Sequence, residues 1–207
     1  MKNIFLLGDS ISIQYAPHLI SMMAGTANFM RKTGDEEALR NLDVPTGANG
    51  GDSRMVLAYL RVRCASGEFK PDFVLLNCGL HDIKDNGDGK PNQVDIKDYR
   101  ANLTSIAALF KTTGTPWAWI RTTPLSETVH NAKASKFKRY EKDLAAYNKA
   151  ADDIMNKERL PLIDLHGFTK SLGGDEIYCD HVHFTEEVRR LQGAYLAGWI
   201  TREVDYG

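Results

Sequence analysis

Ile4-Phe5-Leu6-Leu7-Gly8-Asp9-Ser10 is the stretch from which the rest of the chain can be read. Four apolar residues in a row, without polar alternation, are what a strand covered on both faces shows, and such strands build parallel sheets. A glycine, an acid and a hydroxyl follow at once. Three further runs have the same character: Phe73–Leu76, Trp117–Ile120 and Leu160–Ile163. Leu42–Val44 is a weaker candidate, interrupted by Asp43 and followed by Pro45.

Between the runs the apolar spacing becomes helical. Tyr99, Leu103, Ile106 and Phe110 fall on one face of a helix, and Tyr140, Leu144, Tyr147, Ala151 and Ile154 mark another. Val188, Leu191, Tyr195 and Trp199 mark the last, with Thr185 as N-cap and Glu186 and Glu187 suiting its first turn. A further helix starts near Asp52 or Ser53 and runs to about Cys64, burying Val56 and Leu60. Strands alternating with helices imply βαβ units with right-handed crossovers. The expected fold class is α/β, a three-layer α/β/α sandwich around a parallel sheet of about five strands. Its 207 residues make one domain, 1–207, without repeats or a low-complexity linker. The polar stretch 84–92 reads as a surface loop.

Composition narrows the function classes. Apolar residues are 43% and charged residues 26%, as in a globular protein. Lys plus Arg is 26 against 27 Asp plus Glu, so the basic excess of a nucleic-acid binder is missing. No apolar stretch approaches a membrane span. The N-terminal apolar run is too short for a signal peptide, so the sequence as it stands reads as cytoplasmic; a leader removed earlier would make it secreted or periplasmic. Cys64, Cys78 and Cys179 are an odd, scattered set, which reads as reduced, buried thiols.

Open α/β sheets bind ligands beyond the carboxyl ends of their strands. Those positions hold Gly8-Asp9-Ser10, Asn77-Cys78-Gly79-Leu80-His81-Asp82 and, before the final helix, Asp180-His181-Val182-His183. A serine hydroxyl needs a base to become a nucleophile, the base needs a carboxylate to orient it, and the developing oxyanion needs N–H donors. Ser10, His183, Asp180 and the Gly51 amide can fill those roles. Gly-Asp-Ser occurs twice, at 8–10 and at 51–53. Ser10 directly follows a buried-type strand, whereas Ser53 follows a Gly-rich loop and caps a helix, so Ser10 is the expected nucleophile.

Four blocks carry a resemblance. Gly8-Asp9-Ser10, Gly51-Asp52-Ser53, Gly79-Leu80-His81-Asp82 and Asp180-x-x-His183 follow one another in the order and spacing of the SGNH/GDSL hydrolase family, which this chain resembles over nearly its whole length. The resemblance implies a flavodoxin-like sandwich and ester hydrolysis through an acyl-enzyme, with no metal or cofactor. His81 stands where the family usually has an asparagine. It is expected to supply the third oxyanion donor beside the Ser10 and Gly51 amides, and to bring a group that titrates near neutrality. The alternative leaves that donation to Asn77 or to backbone groups.

The remaining candidates read as structural. His181 has the wrong spacing from Asp180 for the base; His18, His130 and His166 are expected at the surface or in loops. Asp164 reads as a helix cap rather than half of a second dyad. Asp82, Asp85 and Asp88 crowd one loop but fail the calcium pattern, because Lys84 and Gln93 fall at ligand positions. Zinc lacks its ligand spacing. Trp117 and Trp119 alternate, which points at least one into the core, and Tyr178 is a candidate for the site wall. The expected substrate is a short-chain ester, such as an O-acetylated carbohydrate. A lysophospholipase or thioesterase of the same fold, or a non-catalytic binding module, is the alternative.

Overall fold

The computed structural model describes residues 1–87, 89, 92–133 and 136–204. Five parallel strands lie in the order β2-β1-β3-β4-β5: β1 is Lys2–Leu7, β2 Ala27–Arg31, β3 Phe73–Leu76, β4 Trp117–Ile120 and β5 Leu162–Ile163. Among the described residues, eight α-helices connect and flank them: α1 Ser10–Met22, α2 Asp35–Arg40, α3 Ser53–Ala65, α4 Ile96–Thr113, α5 Glu127–Lys133, α6 Glu141–Glu158, α7 Leu165–Lys170 and α8 Glu186–Glu203. Helices α3, α4 and α6 pack side by side, and α1, α8 and α7 form the other set, which gives the three layers. All four residues of β4, Trp117 and Trp119 included, are buried, as are Ile4–Leu7 and Val74–Leu76. Truncating one of these leucines to alanine costs about 2–5 kcal/mol.

Two strand expectations are corrected. Leu42–Val44 forms no strand; the missing strand is Ala27–Arg31. That segment is an edge strand with alternating burial, so it lacks the continuous apolar run that marks β1, β3 and β4. The last strand is Leu162–Ile163 rather than 160–163. Arg159 adopts a left-handed conformation and the Leu160 amide donates to Met155 O, so Leu160 still closes α6. Thr185 occupies the N-cap of α8, but its side chain makes no capping bond.

Burial corrects three more expectations. His130 on α5 is fully buried, not a surface residue. Cys179 is exposed and Cys64 half-buried; only Cys78 lies in the core. The stretch after β3 is not simply a solvated acidic loop: Asp82 and Lys84 are buried, Asp85 is half-buried, and Asp88 lies outside the described residues.

The strand order sets the location of any site. The chain leaves β1 for β2, then crosses back to β3 on the other side of β1. Loops following β1 and β3 therefore part in opposite directions and leave a crevice between their carboxyl ends. Ser10 follows β1 and His81 follows β3.

Candidate active site

Ser10 is the first residue of α1. Asp9 caps the helix: its Oδ1 accepts from the Ile11 amide at 3.0 Å and its carbonyl from Ser12 Oγ at 2.6 Å. The Gly-Asp-Ser triplet is thus a strand-to-helix turn that fixes the serine backbone. The Ser10 amide, in the first helical turn, has no intrahelical acceptor.

His183 reaches Ser10 from a tight turn ahead of α8. Asp180 Oδ1 accepts the amides of Val182 and His183 at 2.8 and 2.7 Å, and Cys179 N donates to His183 O at 2.8 Å. The three-residue spacing lets one carboxylate build the turn and orient the ring. Asp180 Oδ2 lies 2.7 Å from His183 Nδ1, and His183 Nε2 lies 2.8 Å from Ser10 Oγ. These partners assign the Nδ1–H tautomer, with Nε2 accepting the serine proton. Burial by itself would raise the Asp180 pKa, but the His183 ring and the two amides outweigh it and hold the carboxyl well below the usual carboxylate range. Ser10 is 4% and His183 2% exposed, so the pair meets in a place with little water. A hydroxyl so bonded can pass its proton to the imidazole as it attacks.

The two further expected donors, Gly51 and His81, come from the segment ahead of α3 and from the loop after β3. The Gly50 amide donates to Gly8 O at 2.8 Å and pins its loop to the end of β1. Gly51 has φ +74°, and a Cβ there would meet Met55 Sδ at 2.5 Å, so only glycine suits the position. Its amide donates to Asn49 Oδ1 at 2.9 Å. His81 is 1% exposed, and its Nδ1 is buried without a hydrogen bond. Burial, then the charges of Lys84, Arg139 and His183, push its pKa well below that of an ordinary histidine. It is therefore neutral near pH 7, with one N–H to offer, and does not bring the expected titration near neutrality. Asn77, the alternative donor, is occupied: its Nδ2 donates to Ile120 O at 2.8 Å and to Thr122 Oγ1 at 3.2 Å.

The second Gly-Asp-Ser is built into the fold. Asp52 caps α3 through the Arg54 and Met55 amides and bonds Gln93 Nε2. Ser53 is fully buried, and its hydroxyl accepts from Asn102 Nδ2 at 2.9 Å. Asp164 caps α7 and pairs with Arg121, while His166 Nδ1 donates to Thr122 O at 2.9 Å, so these two form no dyad. Tyr178 packs at a tilt against Phe184, ring centroids 5.0 Å apart, and lines a cavity of about 460 Å³ that also touches Leu125, Leu144, Asn148, His166 and Ile177.

A set of groups beside the site had no signal in the sequence. His181 Nε2 lies 3.1 Å from Asp43 Oδ1, and its Nδ1 lies 3.0 Å from His130 Nδ1. His130 Nδ1 also faces the His181 carbonyl at 3.2 Å; a carbonyl only accepts, so His130 carries the hydrogen. Burial and the charge of Arg139 push the His130 pKa down to about 3. Asp43 thus ties the segment leading to Gly51 to the turn bearing Asp180 and His183. Among the described residues, Asp180, His181 and His183 could offer three metal-ligand atoms within 4.8 Å of one another. Their nitrogens are instead engaged with Ser10, Asp180, Asp43 and His130. No helix among these residues is long and apolar enough to cross a membrane.

A family model for GDSL-like lipases/acylhydrolases matches residues 6–191. The chain belongs to that family. Among solved structures, a lipase/acylhydrolase from Enterococcus faecalis superposes with a TM-score of 0.70 at 18% identity, covering 97% of this chain and 95% of that one. An acetyl xylan esterase from Geobacillus stearothermophilus gives 0.65 at 15% identity, over 97% and 93% of the two chains. A psychrotrophic esterase from Pseudoalteromonas sp. gives 0.65 at 14% identity, over 98% of each. No curated protein matches. At these identities the likeness speaks for the fold alone, an α/β fold around a parallel sheet.

Proposed function

We propose that the protein is a serine esterase that cleaves short-chain carboxylic esters through an acyl-enzyme. The observation that carries this reading is the Ser10 Oγ–His183 Nε2–Asp180 chain, with contacts of 2.8 and 2.7 Å. Ser10 Oγ attacks the ester carbonyl while His183 Nε2 takes its proton, and Asp180 stabilises the imidazolium. The oxyanion is held by the Ser10 amide, by His81, and by the Gly51 amide, whose hydrogen is shared with Asn49 Oδ1. Collapse expels the alcohol, which takes its proton from His183. A water molecule, deprotonated by the same imidazole, then releases the acid and restores Ser10.

The favoured substrate is an O-acetylated carbohydrate. Family membership supports an ester, and the fold shared with acetyl xylan esterases supports a small acyl group on a sugar. A fluorophosphonate should label Ser10, and Ser10→Ala should abolish the label. In a p-nitrophenyl ester series, hydrolysis should peak at acetate. A peak at eight or more carbons would overturn the acetyl assignment in favour of a lysophospholipase or thioesterase. A folded wild-type chain that takes no label would be a binding module instead.

A further inference from the structure

Arg139 lies between α5 and α6 and is 2% exposed. Burying a guanidinium costs several kcal/mol, so its contacts have to account for its position. Asn131 of α5 clamps the Arg139 backbone, donating to its carbonyl at 2.9 Å and accepting from its amide at 3.1 Å. The guanidinium lies over the Phe137 ring at 4.8 Å. Its Nε donates at 2.7 Å to the carbonyl of Leu80, and its Nη1 is buried without a hydrogen-bond partner. Asp43, Asp9 and Asp180 offset its charge, yet among the described residues no carboxylate pairs with it directly.

We propose that Arg139 is the positioning residue of the oxyanion side: by holding the Leu80–His81 peptide it aims the His81 imidazole. The inference rests on the esterase reading with His81 as a donor, and it deepens that reading. The Leu80 carbonyl and the His81 amide share one planar peptide unit, so fixing the oxygen fixes the plane from which the His81 side chain departs. The Arg139 charge acts in the same direction. Three groups bear on His81: Lys84 from its own loop, Arg139 from the segment before α6, and His183 from the turn before α8. Each opposes a second proton on a ring that burial already keeps neutral. His81 is thus left as a single-proton donor over the working pH range.

The test uses R139Q, R139K and the double variant R139Q/H81A, beside H81A itself. In R139Q, kcat for p-nitrophenyl acetate should fall about 10–10²-fold with little change in KM, the usual effect of misplacing a reacting group by about 1 Å. Burial is the largest cause of the low His81 pKa, so the ring should stay neutral in the variant and the loss should come from position rather than charge. R139K keeps the charge but lacks the planar Nε–H, so its kcat should fall as well. If Arg139 acts through His81, R139Q should lower kcat no more than about twofold further in the H81A background. A folded R139Q or R139K with kcat within twofold of wild type overturns the proposal. So does a full 10–10²-fold loss from R139Q in the H81A background, because that is a structural effect independent of His81. Failure of the esterase reading is separate: it shows as wild type taking no fluorophosphonate on Ser10.

Discussion

The Ser53 amide donates to both carboxylate oxygens of Asp82, at 2.9 and 3.1 Å, and so fastens the start of α3 to the loop that follows β3. With Asn102 on its hydroxyl, Ser53 is committed to the fold. Ser53→Ala should therefore keep the fluorophosphonate label while lowering stability by about 1–3 kcal/mol, the cost of orphaning a buried donor. Ser10→Ala should fold normally and lose about 10⁴–10⁶-fold in kcat/KM. Peptide mapping and urea unfolding of the two variants check this; a label that disappears with Ser53 would exchange their roles.

Asp82 gives the stability curve a definite slope. Burial raises its pKa to about 7 in the folded chain, against an ordinary carboxylate near 3.9 when unfolded. From about pH 4 to about 7 the unfolded chain loses this proton and the folded one keeps it. Folding is then disfavoured progressively as the pH rises, and the contribution levels off above about pH 7. Asp82→Asn should remove the slope. The quantity to follow is wild-type minus Asp82→Asn unfolding free energy across pH 4–8, which should fall with pH; a flat or rising difference contradicts the assignment.

Asp180 has the opposite sign. Its folded pKa is depressed by the His183 ring and two amides, so its stabilising contribution is full above about pH 4 and fades as the pH drops toward the folded value. Asp180→Asn should cut kcat by about 10⁴-fold by favouring the wrong His183 tautomer. The stability gap between the variant and wild type should narrow below about pH 4. Thermal scans at pH 3, 5 and 7, with kcat at pH 7, measure both effects.

His81 is the departure from the family pattern, and its removal should show in turnover. His81→Ala should lower kcat by about 10²–10³-fold, the usual loss for one oxyanion donor. His81→Asn, which restores an N–H donor on a short side chain, should recover most of it. Wild-type kcat in His81→Ala would remove this residue from the oxyanion side.

How far the sequence could be read follows from what each residue depends on. The central strands β1, β3 and β4 are buried on both faces, and their runs declare it. The edge strand β2 has its apolar residues interrupted by Asn28 and closed by Arg31, so no local signal separates it from a loop. Ser10, Asp180 and His183 were legible because a capped turn and a three-residue spacing are local devices. Arg139 and His130 were not, because the burial of an arginine or a histidine is decided by segments far along the chain. Lys84 looked like a solvated charge, yet its Nζ donates to Asp43 O at 2.7 Å, and burial and Arg139 push its pKa down to about 8.

Helices α1 and α8 stand at opposite ends of the sequence and pack on each other, closely enough that a Cβ on Gly193 would lie 2.9 Å from Leu19 N. Ser10 starts the first of these helices, and His183 lies just ahead of the second. The Ser10–His183 contact therefore joins positions 173 residues apart and exists only once these two helices have docked. A protease cut in the turn ahead of α8 should release that contact while leaving the Gly8-Asp9-Ser10 turn in place.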